Sequence, residues 1–220
     1  MDNVSISKAN SLYWLGRYTE RAYKLAHILT EYYDKMVDDD ENAYKGFCEN
    51  LGIEIKAQNK DAFLKELIAD KDCPASIASS LSKAYDNSII LRGQIDTESV
   101  AYIQLAYNNV TRLFKDKCRI YDLQSVVDNL MSFWGAVDDY IIEDDIRDTI
   151  KAGKYMERLD LFCRFDREMY KIAGCQRRLG RYVAHLDTEK RCTELESLFC
   201  YDSLPDTEKI AACVGRLFES

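Results

Sequence analysis

Two short phrases hold the six charged side chains best placed to do chemistry in this chain. The first reads Gly16-Arg17-Tyr18-Thr19-Glu20-Arg21, and the second, far downstream, Gly153-Lys154-Tyr155-Met156-Glu157-Arg158. A guanidinium recognises carboxylate or phosphate bidentately, and a lysine ammonium binds either as a point charge. Two uses follow from these residue types. Arg21, Arg92 and Arg158 with Glu20, Glu98 and Glu157 can line a pocket for a peptide carboxylate or a nucleotide. Alternatively the charges form a polar core in which they neutralise one another. No residue stands out as catalytic.

Successive helical residues turn about 100°. Arg17 and Glu20 are three apart, and Glu20 and Lys24 four apart, so each pair can meet along one face. Arg21 sits at the edge of the apolar stripe, from which its guanidinium can reach a neighbouring helix. Gly16 lies one turn before Glu20; a mid-helix glycine costs about 1 kcal/mol against alanine, and close approach of another backbone would offset that. In the second phrase Ala152, Tyr155, Leu159 and Phe162 repeat the core stripe, while Leu161 and Phe165 add apolar surface beside Glu157. That places Glu157 and Arg158 inside, where a carboxylate needs a partner. The expectation is a network in which Glu20 and Glu157 meet Arg21 and Arg158 across helices. Leu179-Gly180-Arg181-Tyr182 copies the start of the phrase without its Glu-Arg.

Other chemistries find less support. The eight cysteines show no CxxC spacing, and the only histidines are His27 and His185. Neither histidine follows a glutamate at the Glu-x-x-His spacing of di-metal bundles. No metal and no cofactor is expected. Cys192, about two helical turns after His185, is the one candidate thiol–imidazole pair. No glycine-rich loop follows a strand.

The elements that must position these residues read as helices. Nine glycines and two prolines in 220 residues leave few interruptions. A first helix capped by Ser7 or Asn10 runs to about Met36, with Leu15, Tyr18, Ala22, Leu25, Leu29, Tyr32 and Met36 at steps of three and four. Shorter helices are predicted over 42–51 and 60–70. Pro74 suits the first turn of a helix reaching Leu91. Helices follow from Asp96 or Thr97 to Lys115, over 122–142, and from the acidic Glu143-Asp144-Asp145 to Ala173, with Gly174 as the stop. The last starts near Pro205-Asp206. Gly52 with Ile53-Glu54-Ile55 is the best strand candidate. The reading is all-α: a multi-helix bundle with pseudo-symmetric halves, one domain over 1–220, with a shorter-helix excursion at 38–75.

Charge and thiols bound the partners. The net charge of −8 opposes a phosphate backbone, so no nucleic acid is expected. Arg177, Arg178 and Arg181 read as a solvated helix face. No apolar run is long enough for a membrane span and no secretory leader is visible, so a cytoplasmic location with reduced thiols is expected. Tyr32, Tyr33, Tyr102, Tyr107 and Tyr121 suit either an interface or core cover.

Ala9-Asn10-Ser11-Leu12-Tyr13-Trp14-Leu15-Gly16-Arg17-Tyr18-Thr19-Glu20-Arg21-Ala22 resembles the start of the bacterial alpha-E family, an all-helical domain with a conserved ER motif. Asn87, Arg92 and Glu98 resemble its central Asn-Ala-Arg-x-x-Arg…Glu pattern, Phe133-Trp134-Gly135 its mid-chain aromatic stretch, and Gly153 to Arg158 its second motif. The departures are Ile89 for an arginine, Val100 for a tryptophan, Lys154 for an arginine and Leu159 for an alanine. The resemblance implies polar-network or pocket residues at Arg17, Glu20, Arg21, Asn87, Arg92, Glu98, Lys154, Glu157 and Arg158. It also implies a protein partner, an ATP-grasp-like ligase or a transglutaminase-like protein of a peptide-modification system, with this chain as its accessory. The alternative is an enzyme whose Arg/Glu pocket takes part in amide-bond formation or cleavage. Homo-oligomerisation is left open.

Overall fold

The computed structural model describes residues 5–54, 57–115 and 119–218. Among them every regular element is helical, and no strand occurs. The order is α1 (Ile6–Asp38), α2 (Ala43–Leu51), α3 (Lys60–Ala69), α4 (Ile77–Ile90), α5 (Thr97–Lys115), a 3-10 turn (Ile120–Leu123), α6 (Gln124–Asp139), α7 (Asp144–Arg164), α8 (Met169–Leu186), a single turn α9 (Leu195–Leu198) and α10 (Thr207–Gly215).

Local chemistry explains most boundaries. Ser5, not Ser7 or Asn10, caps α1 by accepting from the Lys8 amide. Asn59 caps α3, Ser76 caps α4 and Asp206 caps α10 in the same way. Asp96 accepts from the Ser99 amide at 2.7 Å at the head of α5. Pro74 is therefore not in the first turn of α4; it lies in the turn before the cap. Gly52, placed by sequence in a strand, is the left-handed cap that ends α2 at φ 67°. Ile55 of that strand candidate lies outside the described residues.

The largest departure is the end of α7. The chain leaves the helix at Phe165, Asp166 takes φ 47°, and α8 starts at Met169. Gly174, expected as a stop, sits inside α8 with open space where its side chain would be. Aspartate is among the few residues that visit the left-handed region readily, so it makes this break without glycine.

Helices α1 and α7 pack along each other and divide the apolar interior. On one side Leu12, Leu15, Leu25 and Leu29 of α1 join Phe47, Phe63, Leu81, Ile103, Leu130 and Phe133 from α2 to α6. On the other, Ala9 and Tyr13 of α1 and Met156 and Leu159 of α7 join Ile172, Leu179, Ile210 and Phe218. Each helix of the pair therefore buries residues around much of its circumference, and the polar side chains between them, Glu20 and Glu157, are fully buried. No described helix is long and apolar enough to cross a membrane.

Candidate functional site

The two glycines set the distance between α1 and α7. A Cβ on Gly16 would lie 3.0 Å from the carbonyl carbon of Ile150 and 3.1 Å from the amide nitrogen of Lys154, with the Ile150 oxygen closer still. A Cβ on Gly153 would lie 3.0 Å from the carbonyl carbon of Tyr13 and 3.1 Å from the Arg17 nitrogen, with the Tyr13 oxygen closer still. Each glycine faces the backbone one turn before the other. Gly180, in the third partial copy, faces only side chains, Phe199 and Glu196, so its role differs.

This close approach brings the charges together. Glu157 is fully buried, and both its oxygens are engaged by α1: Arg17 Nε donates to Oε2 at 2.8 Å and Arg21 Nε to Oε1 at 2.5 Å. Glu20 is equally buried and its Oε1 accepts from Arg158 Nε at 2.5 Å. Burial opposes the charge of Arg17 and Arg158, but Glu157 and Glu20 respectively outweigh it and hold both guanidinium pKa values above the ordinary arginine value. Aromatic faces cover the cations, Trp14 at 4.8 Å from Arg17 and Tyr155 at 5.3 Å from Arg158. The pairs expected along α1 alone do not form. Arg17 turns to Glu157 rather than Glu20, and Lys24 lies over Tyr23 and Phe162, because the inward face of α1 points its carboxylate at α7.

The network is lopsided at Lys154, where the second phrase has a lysine in place of the first phrase's Arg17. Lys154 corresponds to Arg17, yet it makes no hydrogen bond with Glu20. Its Nζ lies 3.8 Å from the Trp134 ring centre, and Glu20 Oε2 is left without a hydrogen-bond partner. Burial pushes the Lys154 ammonium from 10.5 down to about 7; Glu20 and Asp138 resist, while Lys151 and Arg158 add to the drop. Below about pH 7 the lysine is charged in both folded and unfolded chains. Between pH 7 and its unfolded value only the unfolded chain holds the proton, so stability rises with pH there, by up to about 1.4 kcal/mol per unit. Buried thiols oppose the trend above their ordinary 9.0. Urea titrations between those limits should therefore show wild type gaining on Lys154→Met as pH rises; parallel curves would remove the lysine from this account.

The central candidates do not join. Asn87 is half-buried on α4, Arg92 is exposed in the turn after it, and Glu98 is exposed in the first turn of α5, where its charge suits the helix dipole. Arg92 and Glu98 make no ion pair with a described residue. Arg21, Glu98 and Arg158 therefore do not converge on one cavity.

The thiol–imidazole pair is also absent. His185 Nδ1 contacts Asp148 Oδ2 at 2.6 Å, and Cys192 is disulfide-bonded to Cys213, with 5.6 Å between their α-carbons. The expectation of reduced thiols fails at this pair because packing of the chain after α8 against α10 brings the two together. Burial pushes the Cys48 and Cys175 thiols up to about 11 and Cys163 to about 12, the wrong direction for nucleophiles. A disulfide across a sequence separation of 21 contributes about 3 kcal/mol by restricting the unfolded chain. A reductant should lower the melting temperature of wild type and leave Cys192→Ala/Cys213→Ala unmoved; an equal response of both would show that the bond carries no stability. Among the described residues no group of three or more histidine, cysteine, aspartate or glutamate side chains is arranged to hold a metal ion.

Sequence reasoning missed the cavity on the outer side of the Arg21–Glu157 pair. It has a volume of about 400 Å³ and takes Asp160, Leu161 and Arg164 from α7, Leu25 from α1, the end of α2, and the turn at Cys73-Pro74-Ala75. Asp160 Oδ2 accepts from Arg164 Nε at 2.9 Å, and Asp160 Oδ1 accepts from the Thr207 hydroxyl at 3.0 Å. A signal was present: Glu157, Asp160 and Arg164 fall at helical spacing on one face of α7.

A family model described as Alpha-E, a predicted alpha-helical domain with a conserved ER motif, matches residues 7–202. That span includes both Glu-Arg phrases and extends beyond the stretch that carries the resemblance in sequence. No curated protein and no solved structure matches the chain. With both Glu-Arg phrases inside the matched span and meeting across α1 and α7, the chain belongs to the Alpha-E family.

Proposed function

We propose that this protein is a non-catalytic helical accessory that binds a protein partner, one domain whose two pseudo-symmetric halves meet at α1 and α7. The observation that carries this reading is the mutual engagement of the signature charges. Glu157 is fully buried with both oxygens held by guanidinium groups, and Glu20 is fully buried with Oε1 held by Arg158, so neither carboxylate is presented for proton transfer to a substrate. The reciprocal glycine contacts support the pseudo-symmetry, and the two apolar cores sharing α1 and α7 support a single folding unit. The partner class is the one implied by family resemblance, an ATP-grasp-like ligase or a transglutaminase-like protein acting on peptides or amino acids.

The enzymatic alternative is favoured by one observation, the cavity lined by the part-exposed Arg21 with the buried Glu157 behind it. Co-expression with an ATP-grasp-type ligase of the same organism should give a complex that survives gel filtration. The isolated chain should neither hydrolyse ATP nor form or cleave amide bonds. Turnover by the isolated chain, lost in Arg164→Gln, would replace the accessory reading with the enzymatic one.

A further inference from the structure

The cavity beside Arg21 has two features that point to a ligand. The first is charge. Arg17, Glu157 and Arg21 form a triad of two part-buried cations on one buried anion, and its Arg21 and Glu157 line the cavity. The Arg164–Asp160 pair on the wall is neutral, and Glu54 stands exposed at the rim. Arg17, behind Glu157, adds one positive charge to these pairs and the exposed Glu54 offsets it, so the site has no surplus of negative charge, and a monoanion meets less repulsion there than a phosphate dianion.

The second feature is the geometry of the guanidinium groups. Arg21 and Arg164 each donate through Nε, to Glu157 and Asp160, and their terminal nitrogens make no hydrogen bond to another described residue. Carboxylates thus hold both forks by the back and leave the planar, bidentate edge for a ligand oxyanion. The apolar part of the lining is made by Leu25, Leu51, Ile53 and Leu161, of which Leu25 and Leu161 lie one helical turn from Arg21 and Arg164. A cavity of this size suits a small molecule, and its mix of apolar wall and few convergent polar groups is the usual composition of a ligand site.

We propose that this cavity binds a small monocarboxylate with an apolar body, its carboxylate on the Arg21 and Arg164 forks and its hydrocarbon against Leu25, Leu51 and Leu161. A free aliphatic amino acid and the C-terminus of a peptide both present this chemistry. The inference is independent of the accessory reading, since a ligand can occupy the site whether or not the chain turns it over.

The test is calorimetric titration of the full chain with leucine, N-acetyl-leucine and the tripeptide Gly-Gly-Leu, each beside its C-terminal amide. At least one acid should bind, and its amide should bind tenfold or more weakly. Preference for leucine over its N-acetyl form assigns the free amino acid, through Glu54; preference for the tripeptide assigns a peptide end. Arg164→Gln leaves the triad intact and should weaken the acid at least tenfold without changing the amide. Ala75→Leu, which fills the cavity from the turn, should abolish both. Alkylation of Cys73, followed by peptide mapping, should be slowed by the acid and not by the amide. Equal affinity for acid and amide, undiminished binding by correctly folded Arg164→Gln, or no binding of any acid overturns the proposal. Turnover of a bound probe would overturn the accessory reading and leave this one standing.

Discussion

Glu157→Ala should lower the melting temperature by roughly 10 °C, the shift expected for 3–5 kcal/mol in a domain of this size. The carboxylate is fully buried and is the hydrogen-bonding partner of both Arg17 and Arg21. Removing it leaves two guanidinium groups facing each other at a low-dielectric helix interface. Neither can shed its proton, so the desolvation cost of both charges remains while their attraction to the anion is gone. Glu157→Gln keeps the shape but loses the charge and turns a donor toward a donor, so it should recover only a minor part of the loss. Thermal unfolding followed by circular dichroism measures both; an unchanged midpoint for Glu157→Ala would mean that the triad contributes nothing to stability.

The second large effect belongs to the glycines. Gly16→Ala and Gly153→Ala should each destabilise by roughly 1–3 kcal/mol despite the better helix propensity of alanine. The atoms each new methyl would meet are backbone atoms of Ile150 and Tyr13, held in the hydrogen-bonded ladders of α7 and α1. A side-chain tip can move aside; a helix backbone can yield only by shifting the whole helix. Separating α1 from α7 would also lengthen the Arg17, Arg21 and Arg158 contacts. Gly135→Ala and Gly174→Ala are the internal controls. Nothing lies within 4 Å of either position, so both should stabilise by up to about 1 kcal/mol. Stabilisation at all four positions would show that the close approach is not required.

The signature helices were legible because their periodicity, glycine and charges agree. A glycine one turn before a buried acidic–basic pair has a physical use only if another backbone comes near, and Ile150 supplies it. The short helices at 43–51 and 60–69 and the start of the last helix near Asp206 were also legible from local pattern. The break between α7 and α8 was not, because Asp166 reaches positive φ without a glycine or proline to mark it, whereas Gly174 faces open space and interrupts nothing. The pairing of Arg17 with Glu157 was missed because spacing within one helix favoured Glu20; rotation of α1 against α7 decides it. Arg92 and Glu98 were grouped with the signature by family pattern, and tertiary placement separates them. The cavity depends on the end of α2 and the Cys73-Pro74-Ala75 turn reaching the same face of α7, a juxtaposition that no local pattern encodes.

Lys154 shows the cost of an incomplete network. With arginine at this position a planar fork can bridge toward Glu20 Oε2, the buried oxygen that lacks a partner. Lysine instead takes the face of Trp134 and a depressed pKa.

The central claim is that the acidic–basic phrases of α1 and α7 stabilise the protein by neutralising each other across the interface. A double-mutant cycle on Glu20→Gln and Arg158→Gln, read by urea unfolding, tests it most directly, because the two side chains share one contact and lie on different helices. The account predicts a favourable coupling of about 1–3 kcal/mol, with the double variant more stable than the sum of the single losses implies. Strict additivity of the two single variants would contradict it.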